Sequence, residues 1–457
     1  MGELFQKPAN TLPLSSPSSG TIIRNRVDNI IIELEKRDIM SRMCERALLI
    51  GVREAGESRE SSQAHLEELE GLVLSLGIPV VSRLLTNPRE IHPRWLLGKG
   101  KVEEVAAAID EHQADLVVFD CDLSPAQQRN LEREWNLAVI DRREVILDIF
   151  ADRASTREAV LQVALARMQY SLPRLTRAWT HLSRQRGGAR GTRGKGETQL
   201  ETDRRLVLSK IAGLKKELTR VREQRDVRRK KRLERPVPSV SLVGYTNAGK
   251  SSLLNALSGA EVLVEDKLFA TLDPTTRRVK MTGGREFLMT DTVGFIRKLP
   301  HDLVDAFRST LEEAVLADVI VQVADAGNEE LGEHITVTDT VLHELGAGEK
   351  SRILVLNKVD TLDVHQREAL QGAFPDAILL SAHSGEGGEA LVDALGAALD
   401  AARSLTVLRL PPDRWDIRSR LHQESTVIQE DYDEDGLIMT VRLSPEEQGR
   451  LASFIVP

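Results

Sequence analysis

One stretch restricts the fold of this 457-residue chain more than any other. The residues SVSLVG predict a buried strand, the spacing G-x-x-x-x-G-K-S follows from Gly244 to Ser251, and SLLNAL then predicts a helix. Glycines in such a turn let backbone N–H groups surround phosphates, while Lys250 supplies a positive charge and the Ser251 hydroxyl can ligate Mg²⁺. The motif therefore predicts a phosphate-binding loop in an α/β domain.

Two later motifs indicate the base. The run RILVLNKVD ends a predicted strand in Asn357, Lys358, Val359 and Asp360. A carboxylate at that strand end can accept both N1–H and N2–H of guanine, a donor pair that adenine does not offer. Asn357 can bond the purine edge and brace the phosphate loop, and the Lys358 stem can cover the ring. After another strand, SAH at 381–383 is suited to a backbone N–H that reaches guanine O6.

Between these motifs lie candidates for sensing the γ-phosphate. Asp291 ends the strand EFLMT and can hold an Mg²⁺-bound water, and the Gly294 N–H can reach the γ-phosphate. The segment FATLDPTTRR supplies a threonine for Mg²⁺, and the residues alone leave three candidates, Thr271, Thr275 and Thr276. Four ordered motifs at this spacing predict GTP hydrolysis with Mg²⁺.

The residue after Gly294 departs from the Ras-like pattern. Ras-like proteins place there a glutamine that orients the attacking water, whereas this chain has Phe295, which cannot form a side-chain hydrogen bond. The orienting group must then come from elsewhere in the chain or from a partner, and the ring could even obstruct the water site. That Phe295 merely packs is left open. Asn247 resembles the residue of GTPases that use K⁺ as a fixed charge, and K⁺ is likewise left open.

The charge is unevenly distributed. The net charge is −8, but residues 182–235 contain 19 Lys/Arg against 7 Asp/Glu, a local +12 that leaves −20 for the remainder. An acidic protein with one strongly basic segment is suited to place that segment against a polyanion such as RNA. A solvated helix face is the alternative.

The pattern of elements predicts four parts after a leader. Short apolar runs alternate with helical stretches in the first part, which favours a mostly parallel α/β domain. A helical hairpin, the nucleotide-binding α/β domain and a small α+β module with a β-hairpin follow. The predicted boundaries are a flexible leader at 1–44, then 45–155, 156–235, 236–402 and 403–457.

The hairpin is predicted from two apolar repeats joined by a basic loop. The first repeat runs until Pro173 breaks it, and the second forms a heptad seam; the residues are Leu161, Leu165, Met168 and Leu172, then Leu200, Val207, Ile211, Leu214, Leu218 and Val221. The loop RQRGGARGTRGKGE at 184–197 has five glycines among five cationic residues, so it can lay flexible backbone and cations along phosphates.

Several features bear on location. The first residues lack a basic stretch followed by an apolar one, so we expect no secretory signal, and no apolar run reaches the length of a transmembrane helix. Two cysteines, Cys44 and Cys121, are too few for a disulfide framework, which fits a reducing cytosol. We therefore expect a cytoplasmic protein, with peripheral membrane association left open.

These motifs resemble those of the HflX family, ribosome-associated GTPases related to Obg and Era. The resemblance spans almost the whole chain after the leader and rests on GYTNAGKS, FATLDPTTR, DTVGFIRKLPH, NKVD, SA and the specific run GTRGKGETQLETDRR. It implies a Ras-like GTPase domain and a GTPase that binds the large ribosomal subunit and splits stalled or idle ribosomes. It also implies a hairpin that reaches toward the peptidyl transferase centre, and it selects Thr271 as the Mg²⁺ threonine.

The resulting hypothesis is a monomeric GTPase, stimulated by the large ribosomal subunit and its RNA, with Mg²⁺ held by Ser251 and Thr271. An ATP-using RNA-remodelling enzyme with a second nucleotide near Gly98 to Lys101 is the alternative, and a lipid-binding switch is a third. The predicted catalytic residues are Lys250, Gly294 and Phe295. The predicted nucleotide contacts are Gly244, Tyr245, Thr246, Asn247, Ala248, Gly249, Lys250, Ser251, Phe269, Ala270, Thr271, Leu272, Asp273, Asp291, Thr292, Val293, Gly294, Asn357, Lys358, Val359, Asp360, Ser381, Ala382 and His383.

Overall fold

A computed structural model gives the architecture for most of the chain. The predicted leader and most of the basic loop lie outside the residues that it describes. Those are 46–53, 56–87, 91–177, 195–232, 237–259, 268–281, 286–297, 313–401, 404–412, 414–433, 436–443 and 445–456.

The N-terminal domain is built on a parallel sheet, as predicted. Its strands pair in the order β2-β1-β3-β4, with bounds β1 (Ala47–Val52), β2 (Val80–Thr86), β3 (Leu116–Phe119) and β4 (Ala138–Asp141). The helices are α1 (Arg59–Ser75), α2 (Lys99–His112), α3 (Pro125–Trp135) and α4 (Arg142–Arg153). Alternate residues of β1 enter two hydrophobic clusters, one on each face of the sheet, so both faces are covered, as parallel sheets require.

Helix α4 was not predicted from the sequence pattern. It begins directly at the end of β4, where the Asp141 side chain accepts a hydrogen bond from the Glu144 backbone N–H at 3.0 Å. Because no turn residues separate strand from helix, the chain offers no loop signal there. The α4 face that contains Val145, Ile149 and Phe150 is buried.

A pair of packed helices follows. Helix α5 (Arg157–Ser171) ends before Pro173 in a 3₁₀ turn (Leu172–Arg177), and α6 spans Lys195–Arg232. The shared seam contains Leu161, Ala164, Leu165, Met168, Leu172, Val207, Ile211, Leu214, Leu218 and Val221. Arg157, at the start of α5, lies 3.8 Å from Glu217 in the second half of α6, as in an antiparallel hairpin. Within the described ranges no helix, α6 included, is long and apolar enough to cross a membrane.

The nucleotide-binding domain has a six-stranded sheet in the order β10-β9-β8-β5-β7-β6, in which only β6 is antiparallel. The strands are β5 (Ser239–Gly244), β6 (Thr275–Lys280), β7 (Glu286–Asp291), β8 (Val319–Asp325), β9 (Ser351–Asn357) and β10 (Ile378–Leu379). The helices are α7 (Lys250–Ser258), α8 (Leu331–Glu344), α9 (Val364–Ala373) and α10 (Gly388–Ala401). The predicted motifs therefore follow β5, β7 and β9, at one edge of the sheet.

The C-terminal module is a three-stranded antiparallel sheet in the order β11-β13-β12, and the predicted α+β class with a β-hairpin is confirmed. Its elements are β11 (Ser404–Leu410), α11 (Trp415–Glu424), β12 (Thr426–Asp433), β13 (Gly436–Leu443) and α12 (Pro445–Arg450). Helix α11 was not predicted. Its residues Ile417 and Leu421 pack on the sheet. Two buried apolar residues are too few to show the helical periodicity of apolar positions in the sequence.

The hairpin seam yields a stability prediction. Leu214 is 4% exposed in the seam, whereas Leu208, on the same helix, is 47% exposed. We expect Leu214→Ala to lower the free energy of unfolding of the helical pair by about 2–5 kcal/mol, and Leu208→Ala to change it little. Urea unfolding followed by circular dichroism measures both variants. Equal shifts would contradict the packing of α6 on α5.

Candidate active site

The phosphate loop requires glycine at two positions. At Gly244 φ is +147°, and an added Cβ would lie 2.0 Å from the Val323 carbonyl oxygen. At Gly249 φ is +90°, and a Cβ would lie 2.1 Å from the side-chain amide nitrogen of Asn357. Both backbone conformations favour glycine, and both approaches exclude a side chain. The motif spacing thus reflects how closely the loop packs on β8 and β9.

Lys250 is buried at the start of α7. Its ammonium donates hydrogen bonds to the carbonyl oxygens of Gly244, at 3.2 Å, and Tyr245, at 2.8 Å. Burial lowers the pKa of Lys250 to about 8, and the nearby Asp291 opposes this shift. Desolvation of an ammonium favours an anionic ligand beside it, so the residue is oriented and poised to meet phosphate.

Three oxygen-bearing side chains converge beside Lys250. The Ser251 hydroxyl lies 2.8 Å from that of Thr271 and donates to an Asp291 carboxylate oxygen at 2.6 Å. The other Asp291 carboxylate oxygen is buried without a hydrogen-bond partner, and burial raises the pKa of this carboxyl. Hard oxygen ligands around a buried carboxylate fit Mg²⁺.

The geometry also separates the three candidate threonines. Thr275 and Thr276 lie on β6, where the Thr276 hydroxyl is 3.0 Å from that of Thr290 on β7. Only Thr271 of the three places its hydroxyl beside Ser251. The position of Thr271 therefore supports the assignment that the family resemblance implies.

Gly294 brings the DTVGF segment against the phosphate loop. A Cβ at this glycine would lie 2.8 Å from the Thr246 Cα and 3.0 Å from the Lys250 ammonium. The next residue, Phe295, donates its N–H to the Gly244 carbonyl at 3.0 Å, and its carbonyl accepts from the Thr246 N–H at 2.8 Å. This backbone bridge fixes the segment at the edge of the phosphate loop.

The Phe295 ring points away from the cleft. It is 1% exposed and packs in a hydrophobic cluster with Val243, Ala314, Ile320, Val341, Leu342 and Ala347. The ring is absent from the residues that line the nucleotide cleft. In this structure Phe295 therefore does not obstruct a water site, and the geometry favours the packing interpretation of its side chain.

Asn357 joins the base-binding end of the site to the phosphate loop. Its side-chain amide donates to the Ala248 carbonyl at 2.9 Å, and its amide oxygen accepts from the Ala382 N–H at 3.0 Å. The side chain is buried. The predicted brace is therefore present, and it extends to the loop at Ser381.

Asp360 and Lys358 follow Asn357 on an exposed turn. A hydrogen bond with Ser381 lowers the pKa of the Asp360 carboxyl, which keeps it an acceptor. The Lys358 ammonium lies 2.8 Å from Asp325, and the residue adopts φ +67°. Val359 is buried and His383 is exposed. The arrangement presents one ionised carboxylate at the end of β9.

The cleft joins the phosphate loop to the two later segments. Its lining includes Ser252, which the sequence analysis did not single out. The lining residues are Thr246, Asn247, Gly249, Lys250, Ser251, Ser252, Phe269, Ala270, Thr271, Thr292 and Gly294.

Other predicted contact residues face the N-terminal domain. Leu272 and Val293 are buried in one hydrophobic cluster with residues of α1 and α4, together with the Tyr245 and Phe269 side chains. The Phe269 ring also meets the Phe150 ring edge-on, 4.7 Å between centroids. These side chains therefore connect the nucleotide cleft to the domain beside it.

Tyr245 illustrates the connection. Its hydroxyl donates to Glu68 on α1 at 2.5 Å and accepts from the Arg297 N–H at 2.8 Å. Its ring stacks on His334 with 3.6 Å between centroids. The residue belongs to the phosphate loop by its backbone and to the domain interface by its side chain.

An ion-pair network that sequence reasoning missed surrounds Tyr245. Arg142 is 2% exposed and pairs with Glu68 and with Asp120, the latter at 2.8 Å. Arg297, three residues after Gly294, lies 3.2 Å from Asp120 and 3.9 Å from Glu57. The only sequence signal was the position of Arg297 next to the DTVGF motif.

Asp273 has a role that its motif did not indicate. Its carboxylate accepts hydrogen bonds from the Ser155 N–H and hydroxyl, at 3.0 and 2.6 Å, and from the Thr156 N–H and hydroxyl, at 3.0 and 2.5 Å. Thr156 is the N-cap of α5, so the negative charge also lies at the positive end of the helix dipole. The FATLD segment is thereby attached to the start of the hairpin.

The fold and site define a P-loop GTPase. Consistent with this class, residues 239–358 match the family model described as a 50S ribosome-binding GTPase. Residues 63–151 match the N-terminal model of a GTP-binding GTPase, and residues 153–232 match its middle-region model.

Curated relatives identify the family. A GTPase HflX of Akkermansia muciniphila is 47% identical over 429 residues, which cover 90% of this chain and 97% of the relative. The GTPase HflX of Escherichia coli K12 is 44% identical over 397 residues, 86% of this chain and 93% of the relative. The chain belongs to the HflX family of GTPases, which makes it a GTP-hydrolysing enzyme.

The Asp273 contact yields a prediction. We expect Asp273→Ala to weaken the start of α5 by about 1 kcal/mol, because it removes the carboxylate that accepts from four donors. Amide hydrogen exchange should rise at residues 155–160 and in the FATLD segment. The exposed Asp152→Ala is the charge-matched control and should leave this exchange unchanged. Unaltered exchange in the Asp273 variant would contradict the attachment.

Proposed function

We propose that the chain acts as a monomer on the large ribosomal subunit, hydrolyses GTP there and splits or rescues ribosomes. One observation carries the proposal: the phosphate loop is attached to the N-terminal domain, and the FATLD segment is attached to the start of the hairpin. Asp273 accepts hydrogen bonds from Ser155 and Thr156, and Tyr245 bonds Glu68. Loss of the γ-phosphate would therefore shift the contacts of these segments with α1 and with the start of α5, the first helix of the hairpin.

The chemistry follows from the convergent side chains. Lys250 would contact the β- and γ-phosphates. Ser251 and Thr271 would hold Mg²⁺, and Asp291 would hold a water bound to the ion. Mg²⁺ supplies positive charge to the phosphate oxygens when bound. The buried Asp291 oxygen that has no hydrogen-bond partner supports this assignment.

The water-orienting group is assigned to the partner. The Phe295 ring lies in the hydrophobic core and cannot form a side-chain hydrogen bond. Completion of a GTPase site in trans can raise turnover by roughly 10⁵-fold. K⁺ beside Asn247 is a further part of the proposal, and replacing K⁺ by Na⁺ in the turnover assay tests it.

The alternative of a second, ATP-binding site gains no support from the described residues. The N-cap of α2, Gly98, precedes the exposed Lys99 and the half-buried Lys101, which are already paired. Lys99 lies 3.9 Å from Glu103, and Lys101 lies 2.6 Å from Glu104. No described feature of this turn favours a nucleotide over an ordinary helix start.

Base recognition by Asp360 is tested directly. We expect Asp360→Asn to weaken GTP binding by about tenfold or more, because a hydrogen bond to a charged group contributes about 1.5–3 kcal/mol. The amide N–H can donate to the extra carbonyl of xanthine, so XTP binding should improve. The exposed Asp376→Asn serves as control. Equal GTP affinity and base preference in wild type and Asp360→Asn would exclude this role.

Stimulation by the ribosome is tested by single-turnover GTP hydrolysis with saturating large subunits, small subunits or neither. Large subunits should raise kcat by at least about tenfold with little change in GTP affinity, because water orientation matters in the transition state while the phosphate loop already binds the ground state. Ser251→Ala removes a predicted Mg²⁺ ligand and should abolish the stimulated turnover. Equal rates in the three conditions would refute completion of the site by the ribosome.

Two further measurements separate binding from splitting. Neutralising the five cationic residues of the basic loop should weaken subunit binding; they are Arg184, Arg186, Arg190, Arg193 and Lys195. The slope of log binding constant against log salt concentration should fall by about one unit at most per lost phosphate contact. Turnover of the free protein should stay unchanged.

Splitting is measured by sedimentation of 70S particles with the wild-type protein and GTP. Particles that stay intact when the protein is bound at saturation would contradict splitting.

A further inference from the structure

A second cluster of potential ligands lies between the N-terminal domain and the nucleotide-binding domain. His65 comes from α1, while Glu330 is the N-cap of α8 and Glu333 lies in its first turn. None of the three lines the nucleotide cleft. The cluster therefore joins two domains at a place that GTP binding does not explain.

The three side chains present their donor atoms to one point. The His65 Nε2 lies 3.7 Å from the nearer Glu330 carboxylate oxygen and 3.8 Å from that of Glu333. One donor atom of each residue lies within 4.8 Å of the other two. The Ser61 hydroxyl is 3.2 Å from the same Nε2 and 3.5 Å from Glu330. A single ion at the centre could contact one atom from each residue.

The His65 ring is buried and held in one orientation. The residue is 5% exposed, and its Nδ1 lies 2.5 Å from a Glu57 carboxylate oxygen. A carboxylate there accepts the Nδ1–H, so the lone pair of Nε2 faces Glu330 and Glu333. Metal-bound histidines in proteins donate their second N–H to a carboxylate, a backbone carbonyl or a water, and Glu57 fits the first of these.

The two carboxylates have few ion-pair partners among the described residues. Among the described residues, His65 is the only ion-pair partner within 4 Å of Glu330 or Glu333. Glu330 is only part-exposed and lies beside Glu333, and the Arg297 charge offsets part of this repulsion from outside the 4 Å range. A divalent cation would satisfy both carboxylates and the imidazole at once.

We propose that His65, Glu330 and Glu333 form a Zn²⁺ site, with a water or the Ser61 hydroxyl as fourth ligand. Tetrahedral ligands at about 2.1 Å from Zn²⁺ are about 3.4 Å apart, close to the observed separations. Adjacent ligands of an octahedral ion are only about 3.0 Å apart at the same bond length. Donor spacing and the mixed nitrogen–oxygen set thus favour a tetrahedral ion over Mg²⁺.

Such a site would act on the domain interface. The ion would fix α1 against α8, next to the stack of Tyr245 on His334. Glu57, which orients His65, lies 3.9 Å from Arg297 beside the DTVGF motif. Zinc binding would therefore restrict relative movement of the two domains. The proposal does not depend on ribosome splitting.

The test uses the full chain, stripped of metals by a chelator and free of nucleotide. Zn²⁺ is titrated by calorimetry against a competing chelator, and Co²⁺ is added separately to read the coordination number from its visible spectrum. We expect one Zn²⁺ per chain, a tetrahedral cobalt spectrum and a higher Tm with Zn²⁺, because a ligand that binds only the folded state stabilises it.

Matched variants locate the site. Glu333→Gln changes an exposed side chain, so folding should be kept, and Zn²⁺ affinity should fall at least about tenfold with loss of the Tm increase. Glu329→Gln removes another exposed charge four residues earlier and should bind like wild type. His65→Gln should also lose the cobalt spectrum. Unchanged binding in both ligand variants, an octahedral spectrum or absence of stoichiometric binding would each overturn the proposal.

Discussion

The architecture depends on one hydrophobic cluster that the N-terminal and nucleotide-binding domains share. Tyr245 of the phosphate loop, Phe269 and Leu272 of the FATLD segment, and Val293 and Ile296 around Gly294 all enter it, and α1 and α4 supply the other side. Side chains in such a core pack as densely as in a single domain, so small shifts are not absorbed locally. Because these segments border the nucleotide cleft, a shift of any of them would also change the contact between the two domains.

Buried charges make this interface selective for one arrangement. Arg142 is almost fully buried between Glu68 and Asp120, and Asp120 also meets Arg297. Two arginines and two carboxylates offset one another only while all four remain in place, since a buried charge without its partner is strongly unfavourable. Arg142, Glu68 and Asp120 all lie in the N-terminal domain, so separation of the domains would break the pairs of Arg297 and leave those of Arg142 in place. The Arg297 pairs therefore favour the docked arrangement of the two domains.

Features that depend on neighbouring residues in the chain could be predicted from the sequence, and contacts between distant residues could not. The phosphate loop and NKVD are contiguous motifs at strand ends, and Asn357 was correctly expected to brace the loop. The choice of Thr271 needed the family resemblance, because the sequence alone does not distinguish it from Thr275 and Thr276, which have the same side chain. The side-chain roles of Tyr245 and Asp273 were not predicted, because their partners lie 177 and 118 residues away in the chain. Hydrogen bonds over such separations leave no local pattern.

The position of Phe295 explains why a GTPase can do without a hydrogen-bonding side chain there. Its backbone bridges to Gly244 and Thr246, while its ring anchors the segment in the core beneath β5 and β8. Gly294 is thereby held against Lys250 by packing, whether or not water is oriented. Interactions that act equally on ground state and transition state favour binding without accelerating the chemical step. The Phe295 side chain therefore contributes to the position of Gly294, and it supplies no polar group to the cleft.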